Sequence, residues 1–298
     1  MDAAVTSLVG TGKMGCAIGE RLLAAGYPLA VYNRTPERAQ PLLDAGASSL
    51  ASLAEALRDA DLCVTVISDD VALREVAGGV LAGARPGTTL IDMSTVSVAA
   101  SEEVATAADE AGVSYLRAPV SGNPGVVRGG TATIILSGPA DAARDADAVL
   151  RAIGPNVFYV GDGEAARVVK LALQVMIGGT AQLMAEALVL AEAAGVDKAT
   201  LLEVMGNSAV GSPFVKYKTD PLVRDDYSAT FTTSMMLKDV DLVLGLAADR
   251  GSPTPVTEAL RGLLADAVAG GHGDVDFMAL YLQLRDRAAA AAGYEVTL

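Results

Sequence analysis

The chain has 298 residues, 51% of them hydrophobic and 4% aromatic, so two domains with cores built mainly from Ala, Val, Leu and Ile are expected. Lys and Arg number 22 against 36 Asp and Glu, and the formal charge of -14 has the wrong sign for a broad nucleic-acid-binding face. There is no run of roughly 18 uninterrupted apolar residues and no leader-like N-terminus, and Cys16 and Cys63 lack metal-ligand spacing; a membrane partner and a bound metal are not expected, and a cytoplasmic location is.

Through the first half, short β-branched runs alternate with helical stretches, the pattern of βαβ units and a mostly parallel sheet. Strands are predicted over 5–9, 28–32, 62–67 and 88–92, and helices over 14–25, 36–44, 52–58, 71–80 and 99–111. Pro36 suits a first helical turn and Ser52 a cap. Further strands are expected over 113–117, 131–137 and 157–160, with a glycine-rich connection over 119–130 and one helix over 141–153. No comparable strand pattern follows. A single helix over 167–194 would be roughly 40 Å long, and further helices fit 198–206, 214–217, 235–250, 255–270 and 276–291. The expected architecture is therefore an α/β domain over 1–163 and an all-α domain over 164–298, with the long helix at their boundary and the active site in the cleft between them. That helix is largely apolar and carries Gly178-Gly179 in its middle, which suits close packing against other helices, those of a second subunit in a homodimer or higher homo-oligomer included.

At the end of the first strand stands Gly10-Thr11-Gly12-Lys13-Met14-Gly15. Between a strand and a helix, the first glycine of such a loop permits a tight turn, the second lets a pyrophosphate approach the backbone, and the third allows close helix packing. The helix N-terminus then favours the phosphates. Gly10, Thr11, Gly12, Lys13 and Met14 are thus candidate cofactor-binding residues in a Rossmann-type domain. The second strand ends at Asn33-Arg34-Thr35, without the carboxylate that would select the ribose 2′-hydroxyl of NAD. A guanidinium flanked by two neutral hydrogen-bonding groups suits the 2′-phosphate instead, so NADP(H) is expected to be preferred over NAD(H).

Further motifs follow in order: Asp92-Met93-Ser94-Thr95, Ala118-Pro119-Val120-Ser121-Gly122, Gly161-Asp162-Gly163 followed by Lys170, Lys238-Asp239, and Gly273-Asp274-Val275-Asp276. With the glycine loop, these make the chain resemble, nearly end to end, the β-hydroxyacid dehydrogenase family, which includes 3-hydroxyisobutyrate dehydrogenases and glyoxylate or succinic semialdehyde reductases. The resemblance implies that Lys170 is catalytic and that Ser121, Gly122 and Asn123 belong to the substrate-carboxylate loop. It implies roles for Ser68, Thr95 and Lys238 at the cofactor, for Asp239 near the active site, and for Phe231 as a pocket wall. The substrate class implied is a small carboxylated carbonyl compound. Carbonyl reduction needs a proton at oxygen as well as hydride at carbon, and a lysine set among Val168, Val169, Leu171, Ala172 and Leu173 is partly desolvated, which favours proton exchange near neutral pH. The only histidine, His272, lies between glycines in a late loop and reads as structural or solvated.

Two positions depart from the family pattern. Many relatives carry asparagine one helical turn after the lysine, where this chain has Gln174, and the carboxylate loop reads Ser121-Gly122-Asn123-Pro124 where a third small residue is common. Both touch substrate recognition, leaving two other readings: an imine reductase of the same architecture, whose members typically replace the lysine with Asp or Tyr, and a non-catalytic NADP-binding protein.

Overall fold

A computed structural model describes residues 4–291, which divide into two compact units between Leu171 and Ala172. In the first unit, β1 (Thr6–Val9), α1 (Lys13–Ala24) and β2 (Leu29–Tyr32) are followed by a 3-10 turn (Pro36–Ala39) that runs into α2 (Gln40–Asp44) and by the short β3 (Ser48–Ser49). Then come β4 (Leu62–Thr65), α3 (Asp70–Leu81), β5 (Thr89–Asp92), α4 (Val98–Glu110) and β6 (Ser114–Arg117). The six strands pair in parallel in the order β3-β2-β1-β4-β5-β6. Alternate residues supply two cores: Leu8, Val64, Ile91 and Leu116 join one, and Val9, Cys63, Leu90 and Tyr115 the other. Burial on both faces explains why these strands read as continuous apolar runs. Asp69 and Ser97 fix where α3 and α4 begin by accepting the N–H of Ala72 at 2.9 Å and of Ala100 at 3.0 Å.

The helix expected over 52–58 is only a 3-10 turn, Leu53–Glu55, because the Ser52 side chain makes no cap bond. The segment is also wedged against α3, where Cβ atoms at Gly79 and Gly83 would collide with Leu53 and Ala54. Within the stretch expected to be a plain glycine-rich connection lie β7 (Val120–Ser121) and α5 (Pro124–Arg128), the latter started by Asn123, whose Oδ1 accepts the Val126 N–H at 3.1 Å, and by Pro124. β8 (Thr133–Leu136) pairs antiparallel with β7 and parallel with β9 (Asn156–Tyr159), forming a second, three-stranded sheet. The helix expected over 141–153 divides at Ala146, whose ψ of -9° is off the helical value, into α6 (Ala140–Asp145) and α7 (Asp147–Ile153).

The 29-residue α8 (Ala165–Ala193) runs through the division between the units. After it the second unit contains α9 (Lys198–Asn207), α10 (Pro213–Val223), α11 (Thr233–Arg250), α12 (Pro255–Ala267), a π-helical turn (Val268–His272) and α13 (Ala279–Ala291). α10 extends well past the expected 214–217 and runs through Pro221, which lacks the backbone N–H that would bond the Tyr217 carbonyl. α13 starts three residues later than expected, at Ala279, and Asp276 before it pairs with the buried Lys218, whose Nζ lies 2.7 and 2.8 Å from its two oxygens. The core joins Ala181, Met184, Ala185 and Leu188 of α8 to Leu202, Val215, Met236, Val240, Leu260 and Tyr281. Gly178 serves that packing: a Cβ there would lie 2.7 Å from a Leu260 methyl of α12. Among the described residues α8 alone is long and apolar enough to match a membrane span, yet the face bearing Ala181, Ala185 and Leu188 is fully buried within this unit.

Candidate active site

The first unit gathers its loops at the carboxyl ends of the parallel strands, where open α/β sheets bind ligands. Gly10, at φ +96°, turns so closely over β4 that a Cβ would collide with the Val66 carbonyl, and a Cβ on Gly15 would collide with the Gly10 carbonyl. The third glycine of the loop is thus required by the loop's own backbone. Gly12 is different: a Cβ there would meet nothing within 4 Å, it caps α1 without any side-chain bond, and the buried Thr11 hydroxyl beside it has no hydrogen-bond partner among the described residues. An open, uncapped N-terminus on a 12-residue helix beside an unsatisfied hydroxyl fits a dinucleotide pyrophosphate. Gly12→Ala is accordingly expected to leave the melting temperature of the cofactor-free protein nearly unchanged but to abolish its rise with a nicotinamide dinucleotide; Gly10→Ala should itself lower stability by about 1–3 kcal/mol, the range for strained backbone. Thermal denaturation with and without cofactor checks both.

Asn33 ties the loop to the end of β2: its Oδ1 accepts the Thr11 N–H at 2.9 Å and its Nδ2 donates to the Thr35 carbonyl at 2.8 Å. Its amide therefore shapes the loop, leaving Arg34, exposed, as the group offered to a ligand. Arg38, one turn further and also exposed, is a second cation on the same segment that sequence reasoning passed over. Ser68 is exposed after β4, its hydroxyl donating to Asp69 at 2.7 Å, and the adjacent Ile67 N–H donates at 2.8 Å to Ser94, next to the half-buried Thr95. The β4 and β5 loops are thereby joined.

Lys170, 8% exposed in the second turn of α8, donates from Nζ to the Val120 carbonyl at 3.0 Å, beside Ser121 at the end of β7. Gly122 has φ +143°, and the Asn123 side-chain oxygen is committed to capping α5. Next to the lysine lies a buried polar network absent from the sequence expectations. Arg167, fully buried, pairs with Asp92 and donates to the Ser94 carbonyl at 2.5 Å, Ser101 at 3.2 Å and the Tyr115 hydroxyl at 3.1 Å. Asp92 accepts from Thr65 at 2.7 Å and Ser94 at 2.6 Å. Burial pushes the Tyr115 phenol up to about 12, so it remains a neutral hydrogen-bonding group. A second pair, Arg117–Glu164, stands at the entry to α8. The available signal was Asp92 at the head of its motif and Arg167 one helical turn before Lys170.

In the second unit, Gln174, one turn after Lys170 on the same helix, donates from Nε2 to Asp239 Oδ2 at 2.5 Å. Asp239 is 1% exposed, and its other oxygen lies 2.8 Å from Lys238 Nζ. These three form one cluster. Phe231 is half-buried, with its ring edge-on to Phe277 at 6.0 Å between centroids. His272 closes the π-helical turn, and among the described residues no cluster of His, Cys, Asp and Glu has the makings of a metal site.

The family model of the NAD-binding domain of 6-phosphogluconate dehydrogenase matches residues 6–161, and that of the NAD-binding of NADP-dependent 3-hydroxyisobutyrate dehydrogenase matches residues 164–284. The chain belongs to the β-hydroxyacid dehydrogenase family. It is 31% identical to an NAD-dependent L-serine dehydrogenase of Pseudomonas aeruginosa over 91% of this chain and 94% of that one. A chloroplastic glyoxylate/succinic semialdehyde reductase 2 of Arabidopsis thaliana is 29% identical over 93% of this chain and 78% of that one. Among solved structures, the 3-hydroxyisobutyrate dehydrogenase of Mycobacterium tuberculosis, determined with L-serine, superposes with a TM-score of 0.86 at 28% identity, covering 95% and 99% of the two chains. An imine reductase of a Pseudomonas species, also 28% identical and covering 95% and 100%, gives 0.66. As the motifs implied, the protein is an oxidoreductase of this family with an NAD(P)-binding domain.

Proposed function

We propose that the protein interconverts a small β- or ω-hydroxy acid and its aldehyde or keto acid, with NADP(H) preferred and Lys170 moving the proton. The observation that carries this is the placement of Lys170: a largely buried ammonium bonded to Val120, next to Ser121, on a helix turn bonded through Arg167 to Ser94, next to Thr95. Gly10, Thr11, Gly12, Lys13 and Met14 would hold the pyrophosphate, Arg34 and Thr35 the 2′-phosphate, and Ser68, Thr95 and Lys238 the remainder of the cofactor. When bound, the nicotinamide supplies hydride in reduction and accepts it in oxidation.

Lys170 Nζ gives its proton to the carbonyl oxygen in reduction and recovers it from the hydroxyl in oxidation; it also stabilises the charge that builds on oxygen between these states. The Ser121 hydroxyl and the backbone N–H of Gly122 anchor the substrate carboxylate. Gln174 and Asp239 act as a bonded pair, so the added methylene of glutamine is used to reach Asp239. The two buried free thiols, Cys16 and Cys63, fit a reducing, cytoplasmic setting.

The test is NADPH consumption, followed by absorbance, with glyoxylate, succinic semialdehyde and a cyclic imine. Turnover of a carboxylated aldehyde above the imine supports the proposal. Preference for the imine would make the protein an imine reductase, and binding without consumption a non-catalytic NADP-binding protein.

A homodimer is part of the proposal. Met176, Leu183 and Leu190 of α8 are 67%, 65% and 72% exposed and stand seven residues apart, making an apolar stripe suited to a second copy. Leu183→Arg is expected to shift the species seen by light scattering from dimer to monomer. A parent protein that is already monomeric at micromolar concentration would contradict this.

A further inference from the structure

We infer that Arg167 is a positioning residue that fixes Lys170 and the Thr95 loop to one another by clamping the first turn of α8 to the carboxyl end of β5. The inference rests on the proposed role of Lys170. Arg167 and Lys170 are three residues apart, hence on one face of the helix. The Arg167 guanidinium is bonded in four directions: to Asp92 in β5, to the Ser94 carbonyl in the loop that carries Thr95, to Ser101 in α4 and to Tyr115 in β6. Turning or sliding α8 by one residue would break all four. Asp92 is itself held by Thr65 of β4 and by Ser94, so the clamp closes on the sheet and not on a mobile surface group.

Stability alone is a poor reason for this arrangement. A buried ion pair is often no better for folding than apolar groups of the same size, because both charges must leave water. Burial works against the Arg167 charge, and Asp92 and Tyr115 more than offset it, leaving the guanidinium above its ordinary pKa. What the planar fork adds is direction, several bonds fixed at set angles. The helix start is braced from the other side as well, where Ser137 Oγ accepts the Ala166 N–H at 3.1 Å and donates to the Gly163 carbonyl at 2.7 Å. Lys170 Nζ, one turn on from Arg167, is then fixed at the Val120 carbonyl.

The test uses two variants of the full chain. Asp92→Asn with Arg167→Met removes both charges together, keeps an oxygen for Thr65 and Ser94, and leaves no buried charge alone; Arg167→Lys keeps the charge and loses the fork. Lysine reductive methylation, read by mass spectrometry, reports on Lys170, with the buried Lys218 of the second unit as an internal control. In the double variant kcat should fall at least about tenfold, since small displacements of reacting groups are costly, while KM and NADP(H) affinity stay within about threefold. Lys170 should be modified at least about fivefold faster while Lys218 is unchanged, and Arg167→Lys should move both readouts the same way by less. An unchanged Lys170 modification rate in both variants, or Lys170 and Lys218 accelerating together, would overturn the inference. Failure of the Lys170 assignment shows separately, as undiminished turnover in Lys170→Ala.

Discussion

Lys170→Ala is expected to reduce turnover at least about a hundredfold, the lower range for a general acid-base group. The cofactor affinity should hardly change, because the glycine loop and the Asn33 bond that shapes it belong to β1 and β2 and are independent of α8. Removing the ammonium also leaves the Val120 carbonyl without that donor in a buried place, which costs about 1–3 kcal/mol of stability. Lys170→Met keeps more of the side-chain volume and separates the two effects: turnover should remain low while the melting temperature recovers part of its loss. Steady-state kinetics with thermal denaturation measures both. Near-normal turnover in either variant would remove the lysine from the mechanism.

Arg34→Asp is expected to exchange the coenzyme preference. Charge-assisted hydrogen bonds contribute about 1.5–3 kcal/mol, so kcat/KM with NADPH should drop about ten- to a hundredfold. The new carboxylate meets a free ribose hydroxyl in NADH and repels only the extra phosphate of NADPH, so the NADH value should hold or rise. Asn33 supplies the frame for this exchange, and since its amide is engaged at both ends, Arg34 is the natural place to change charge. Equal losses with both cofactors would show that Arg34 does not read the 2′-phosphate. The 31% identical L-serine dehydrogenase that uses NAD makes this the informative variant for the chain's own preference.

The parallel sheet was legible because its strands are buried on both faces and so read as apolar runs, whereas the caps at Asp69 and Ser97 came from the structure alone. The glycine loop was legible because its spacing is local in the chain: Gly10 and Gly15 answer steric demands of the loop's own backbone, and Gly12 leaves the helix start open. Elements set by distant contacts were not. β7 consists of Val120 and Ser121 alone and exists through pairing with β8, and the α6–α7 break at Ala146 leaves no mark in an alanine-rich segment. The candidate site divides in the same way. Lys170 and Ser121 stand in motifs; Asp92 and Ser94 do too, but their pairing with Arg167, 75 positions from Asp92, has no local pattern. Gln174 shows the limit from the other side: its identity was plain, but its bond to Asp239 depended on a helix 65 residues away.

The central claim is that a carboxylated carbonyl compound is reduced by hydride at carbon with Lys170 supplying the proton. The most direct measurement is mass spectrometry of the product formed from succinic semialdehyde and NADPH deuterated at both C4 positions. The account predicts a hydroxy acid carrying deuterium on the carbinol carbon, formed by the parent protein and barely by Lys170→Met. Absence of labelled product from the parent protein, or equal amounts from the two proteins, would contradict it.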